Sequence, residues 1–178
     1  MTQAGNVQSS ADLVRVQRIS GTQFRKGVTA PTDETVGTTP TVPVLRFGNV
    51  NELVTVVVPI PPNYQPGTDI EVVVLWSLVN AQLNLDTLDV TCDYVAATLA
   101  GGGGLAKTST QITGQVTAVT GRLAAGDLYE MTLTFAAADA TNPLASAIEL
   151  ALEIHLTNVT GVAEADLVSG FVQFDANY

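Results

Sequence analysis

From residue 45 onward, apolar and polar residues alternate with a period of two almost everywhere, the pattern of strands with one buried face. Val44 to Phe47 and Leu53 to Ile60 read as strands, and Asp69 to Val79 is a nearly continuous apolar one. Thr87 to Ala97 alternates: Leu88, Val90, Cys92, Tyr94 and Ala96 lie on one side, Asp89, Thr91 and Asp93 on the other. Thr108 to Val119 is Thr-rich. Leu128 to Ala136 alternates through Tyr129, Met131, Leu133 and Phe135, after a turn at 124–127. Ala147 to Thr157 alternates strictly, with Ile148, Leu150, Leu152, Ile154 and Leu156 expected inward, and Leu167 to Phe174 closes the series. Helix competes only at Ala136 to Ala147, where Asn142-Pro143 interrupts it. About eight strands at regular spacing predict an all-β sandwich or barrel.

The stretch Pro59 to Trp76 organises this pattern. Prolines 59, 61 and 62 stop one strand, because proline has no N–H to give a ladder. Pro66-Gly67 suits a tight turn. The next strand then runs through Ile70 and Val72 to Val74 and ends on Trp76, the only tryptophan. Tyr64 is expected at the tip of this corner, where a neighbouring subunit would touch it.

Residues 1–44 differ from the body at 45–178. They are polar, carry Pro31, Pro40 and Pro43, and alternate only weakly at Leu13 to Ile19. Charge is segregated as well. Arg15, Arg18, Arg25 and Lys26 face one acid, Asp12, over residues 1–26, whereas three cations face 16 acids in the rest. An extended basic arm on an acidic body can reach an acidic neighbour of its own kind. A solvated tail, or an arm against nucleic acid or anionic lipid, is the alternative. Arg15, Arg18, Arg25, Lys26 and Tyr64 are therefore the candidate subunit contacts.

Composition bounds the chemistry. The 178 residues fit one domain with an arm, long enough to bury a core unaided. Charged residues are only 13%, below the usual quarter or so, as expected for a surface partly covered by neighbours. The net charge of −10, with Lys26 and Lys107 the only lysines, argues against a general nucleic-acid binder and is compatible with a high-salt habitat. Cys92 is the only cysteine, so no intrachain disulfide forms. Neither a signal-peptide core nor an apolar run of membrane-spanning length is present.

Catalytic constellations are sparse. His155 is the only histidine, and parity places it on a polar face with Glu149, Ala151 and Glu153. Zinc and cupin-type centres need several His or Cys ligands. Glu149 and Glu153 stand roughly 13 Å apart by strand rise, beyond the separation glycosidases use. Asp89 and Asp93 share that spacing. Asp69 with Glu71, or Asp86 with Asp89, lacks the Asp-x-Asp-x-Asp-Gly loop of a calcium site. Gly101 to Gly104 lacks the Gly-Lys-Ser/Thr of a phosphate loop. Asn158-Val159-Thr160 is a glycosylation sequon. Trp76, Tyr64 and Tyr94 are the aromatics for a sugar platform, with Trp76 expected in the core. The reading is a non-enzyme, with no catalytic, cofactor or metal residues.

The run Val56-Val57-Val58-Pro59-Ile60-Pro61-Pro62-Asn63-Tyr64-Gln65-Pro66-Gly67-Thr68-Asp69-Ile70, followed by Val72 to Trp76, resembles a phrase common in viral jelly rolls. Later come Val90 to Tyr94, a Leu-x-x-Gly-Asp turn at Leu123 to Asp127, and Leu150 to Ile154, so the resemblance spans about residues 50–157. It is similar to the small single-jelly-roll major capsid proteins of sphaerolipovirus-like icosahedral viruses with internal membranes. That resemblance implies a single jelly-roll β-sandwich of antiparallel strands acting as a capsid subunit. The subunit would be made in the host cytoplasm and assemble in the virion as a homo-oligomer. Its partners would be a second jelly-roll capsid protein, the viral membrane, or penton and spike proteins, without specific nucleic acid. The low lysine content points to a halophilic host. The same phrase occurs in tail and decoration proteins of tailed phages, so a receptor- or carbohydrate-binding tail, spike or decoration module is the alternative.

Overall fold

The computed structural model describes residues 13–80, 87–98, 108–117, 126–160 and 164–176, with no side-chain detail at 13, 87, 115–117 and 158–160. Gly101 to Gly104, Lys107, Asp86, most of the Leu123 to Asp127 turn and the side chain of Asn158 lie outside what it describes. The described chain is all β apart from two single 3-10 turns, at Gly21–Gln23 and Leu144–Ser146. The second turn is all that forms where helix competed.

Eleven strands follow in order: β1 Leu13–Ile19, β2 Arg25–Lys26, β3 Thr32–Val36, β4 Val42–Phe47, β5 Leu53–Pro59, β6 Ile70–Leu78, β7 Thr87–Ala97, β8 Thr110–Thr117, β9 Leu128–Phe135, β10 Glu149–Thr160 and β11 Ala165–Ala176. They build two antiparallel sheets. One has the order β3-β4-β11-β6-β9, with β1 also paired to β11; the other has the order β2-β5-β10-β7-β8. The eight strands β4 to β11 therefore split as β4-β11-β6-β9 and β5-β10-β7-β8, the wrapping order of a jelly roll.

Each predicted strand is present, and the inward rows are those that parity assigned. Leu88, Val90, Cys92, Tyr94 and Ala96 are all at most 1% exposed, as are Met131, Leu133 and Phe135. Tyr94 meets Phe135 edge-on at 4.8 Å, and Phe47 meets Trp76 at 5.3 Å. Each such side chain contributes about 1.5–3 kcal/mol by leaving water. Ile148 departs from its expected inward place and is 40% exposed. The β10 ladder opens at Glu149; Ile148 sits at its margin, where its backbone still bonds Ala97 and Ile60, and the buried row starts at Leu150.

The Pro-rich corner between β5 and β6 folds back on its own chain. Gln65 N–H donates to the Asp175 carbonyl at 2.8 Å, and Tyr64 bridges to Ala176. Gly67 closes the turn at φ +97°, a conformation that favours glycine. Tyr64 does not offer its ring to a neighbour, contrary to expectation. It is 7% exposed and its hydroxyl donates to the Thr68 carbonyl, because the 3-residue step from Pro61 turns the ring under the corner. Burial pushes its phenol up in pKa, in spite of that hydrogen bond.

The described part of the basic arm is extended and pairs within its own chain. β1 runs antiparallel along the C-terminal half of β11, from Leu13 beside Ala176 to Ile19 beside Gly170. β2 adds to β5 in the other sheet through Arg25 and Lys26, and β3 forms a hairpin with β4. Gly170 permits the close passage at the centre, since a Cβ there would lie 2.7 Å from the Val73 carbonyl oxygen.

Candidate functional site

The outer face of the β5-β10-β7-β8 sheet gathers Asp93, Glu153 and His155, which sequence parity placed outward, with polar residues of β5 and β8. Register sets one row across four strands: Thr55 beside Glu153, Glu153 beside Asp93, and Asp93 beside Gln111. His155 follows Glu153 on the same face of β10, two residues on. Val57, Ala151 and Val95 flank the row, and with Thr55, Asp93, Ser109 and Glu153 they line a shallow groove of about 320 Å³.

The electrostatics of this row are mixed. Glu153 and Asp93 face each other across the strands, an unfavourable like-charge pair. His155 offsets it, with Nε2 at 2.8 Å from Glu153 Oε1 and 3.6 Å from Asp93 Oδ2. Neither approach is aligned as a hydrogen bond, so these are charge contacts when the imidazole is protonated. The Gln111 side-chain amide donates to both Asp93 oxygens, at 3.3 and 3.4 Å. The row thus presents carboxylate acceptors and an amide on an open surface, suited to hydroxyl-rich or amide ligands, while the Nε2 atom of His155 is itself buried. Cys92 sits on the opposite face of β7, fully buried, and burial pushes its thiol up to about 12. It supplies no nucleophile to His155. No cluster of three or more His, Cys, Asp or Glu able to hold a metal occurs among the described residues. Asp69 is engaged otherwise, accepting from the Ala137 N–H at 2.9 Å.

The aromatic candidates for a sugar platform do not meet. Trp76 is 0%, Tyr94 1% and Tyr64 7% exposed, and they serve the core. None of the described outward residues of β5, β7, β8 and β10 is aromatic.

The cationic candidates divide between the two sheets. Arg15 and Arg18 lie exposed on β1, while Arg25 and Lys26 lie exposed on β2. Lys26 Nζ pairs at 2.6 Å with Asp33 Oδ2 of β3. The structure therefore brings Lys26 to an acid of its own chain, on a strand of the sheet that also holds β1.

Three polar elements escaped sequence reading. Arg46 forms a two-pronged pair with Asp166, Nε to Oδ1 at 2.8 Å and Nη2 to Oδ2 at 3.0 Å, and Asp166 is 1% exposed. That hydrogen bond to Asp166 raises the guanidinium pKa further. Asn142, fully buried, accepts from Ala96 N–H at 3.1 Å and donates to the Thr108 carbonyl and Thr110 Oγ1, each at 3.0 Å. Glu52 closes the loop before β5 by accepting from the Gly48 and Asn49 amides. The only local signals were an acid at an odd place on an apolar strand and the Asn-Pro pair, which parity reads as loop.

No protein-family model matches this sequence, and no curated protein matches it. Solved structures match in shape. A xylan-binding domain of the CBM 22 type matches with a TM-score of 0.50 at 10% identity, over 91% of this chain and 96% of that one. The CBM36-1 domain of a multidomain xylanase from the hindgut metagenome of Trinervitermes trinervoides matches at 0.47 and 10%, over 92% and 100%. The CBM22-1–GH10 modules of xylanase 10B from Clostridium thermocellum match at 0.48 and 8%, over 94% of this chain but 29% of that one. At such identities the likeness is one of fold, a two-sheet antiparallel β-sandwich.

Proposed function

We propose that the chain is a non-catalytic recognition module, receptor- or carbohydrate-binding, carried on a virion as a tail, spike or decoration protein. The observation behind this is the open polar row Thr55, Glu153, Asp93 and Gln111, with His155 beside it, on a sandwich shaped like a xylan-binding domain. A face of this kind recognises ligand hydroxyls by hydrogen bonds. Without an aromatic platform each contact is weak, so useful affinity comes from several copies acting together. A glycan array read with multivalent protein tests it, followed by NMR titration of the best ligand. Shifts centred on β7 and β10 are expected, and their loss in Asp93→Asn with Glu153→Gln. Shifts confined to the other sheet, or no ligand at all, would refute it.

A second reading is a single-jelly-roll capsid subunit that assembles with its own copies and a related partner into an icosahedral shell. The wrapping order of β4 to β11 and the sequence phrase at Val56 to Trp76 favour it. Electron microscopy of purified particles, with mass spectrometry for stoichiometry, separates the two. Shell-level copy numbers support the capsid reading, and a few copies at a tail or vertex support the recognition module.

A further inference from the structure

Three strands of the six-stranded sheet have one ladder partner each among the described residues: β3, which pairs with β4 alone, β1 and β9. β1 pairs with β11 alone, and β9, at the far end, pairs in its sheet with β6 alone. An unpaired strand edge is a template for another strand. β1 also exposes apolar surface there, with Val14 57% and Val16 61% exposed, and Leu128 at the start of β9 is 59% exposed.

We propose that the β1 edge of one copy docks along the β9 edge of a second copy, with Arg18 opposite Glu130, so that the sheet continues from chain to chain.

Strand direction permits it. β1 is antiparallel to β11, β11 to β6, and β6 to β9. Two reversals make β1 parallel to β6, and the third makes it antiparallel to β9. A copy displaced along the sheet, without being turned over, therefore brings an antiparallel β9 to β1. Side-chain parity permits it as well. Val14, Val16 and Arg18 lie opposite Asp175, Gln173 and Phe171, on the outer side of the sheet. Glu130, Thr132 and Thr134 are the exposed row of β9, while Met131, Leu133 and Phe135 are buried. Pairing Arg18 with Glu130, Val16 with Thr132 and Val14 with Thr134 keeps each row on its own side.

Charge selects this pairing over its main competitor. β1 holds Arg15 and Arg18 and no acid, while β9 holds Glu130 just after Asp127, with Glu71 on neighbouring β6. Two β1 strands paired about a two-fold axis would bring four arginines together with no acid on either strand. β4 and β3 occupy the same side of β11 further along, so the docking strip is the length of β1. The contact is head-to-tail, and such contacts propagate into rings or open arrays. The inference concerns assembly and stands whether or not the opposite sheet binds a ligand.

The test mixes two singly substituted proteins, Val16→Cys and Thr132→Cys, under mild oxidation. Disulfide-linked dimers are expected in the mixture and not in either protein alone; native Cys92 is buried and does not compete. Linkage of Val16→Cys to itself, or no linkage in the mixture, overturns the proposal. Sedimentation velocity supplies the second arm. Arg18→Glu is expected to weaken association about tenfold, and Glu130→Arg in the same chain to restore it. Both sites are exposed, and thermal melting confirms that each variant is folded. A wild-type monomer at every concentration, or an Arg18→Glu protein that associates unchanged, overturns the proposal.

Discussion

Replacing Arg46 with methionine removes the cation that holds Asp166 while keeping an unbranched apolar stem in its place. Asp166 side-chain exposure is 2%, so its carboxylate has little water to turn to, and Glu164 nearby adds a like charge. Breaking a fully buried pair costs about 3–5 kcal/mol, because the remaining charge is left without compensation. The Arg46 side chain is 22% exposed, which places the loss at the lower end, about 3 kcal/mol. At about 2–4 °C per kcal/mol for a chain of this size, Tm falls by about 6–12 °C. Urea denaturation followed by circular dichroism measures it, with an unchanged m value showing that the native fold persists. Arg46→Met with Asp166→Leu is expected to recover at least half of the loss, since an apolar pair carries no desolvation penalty. A single-variant loss below about 1 kcal/mol would mean that the pair behaves like a surface pair, and the reasoning fails.

Asn142→Ala removes three hydrogen bonds, to the buried Ala96 amide, the Thr108 carbonyl and Thr110 Oγ1, so a loss of about 2–3 kcal/mol is expected in the same denaturation assay. Gly170→Ala places a methyl against the Val73 carbonyl and costs about 2 kcal/mol or more, whereas Gly67→Ala meets no neighbour and costs about 1 kcal/mol of backbone strain; Tm values rank the two. Alkaline pH is expected to unfold the protein through groups held neutral in the core. Cys92 ionises near 9.0 in an unfolded chain but about 12 in the fold, and Tyr94 near 10.0 but about 12, burial being the first cause of each. The folded pKa values are raised, so their stability contribution is whole below about pH 9 and drains away as pH rises toward 12. In Cys92→Ala the decline should begin a unit later, near 10, as seen in denaturation midpoints measured across that range.

Strand parity made the core legible. Apart from Ile148 and the half-buried Tyr129, the inward positions named from the alternating runs are ones that the sandwich buries, because period two is a local property that tertiary packing only has to accept. Strand order is not local. That β11 sits at the centre of one sheet, between β6 and the β1–β4 side, follows from how hairpins wrap, and no residue of β11 announces it. Tyr64 shows the same limit. Its turn was readable from Pro66-Gly67, but the docking of the corner on Asp175 and Ala176, over a hundred residues away, was not. The row Thr55, Glu153, Asp93 and Gln111 was half legible: parity put Glu153 and Asp93 outward, and only register put Thr55 and Gln111 beside them.

The central place of β11 has a consequence for how the chain comes to be folded. Its partners β1, β4 and β6 are made first, and their shared edge stays open until residues 165–176 arrive. Closing that gap joins segments at opposite ends of the sequence, and such distant pairings are slow to form. On the ribosome, the first sheet is therefore an incomplete template until residues 165–176 are made. Any shell or fibre built from this protein draws on chains that commit to their fold only after β11 has left the exit tunnel.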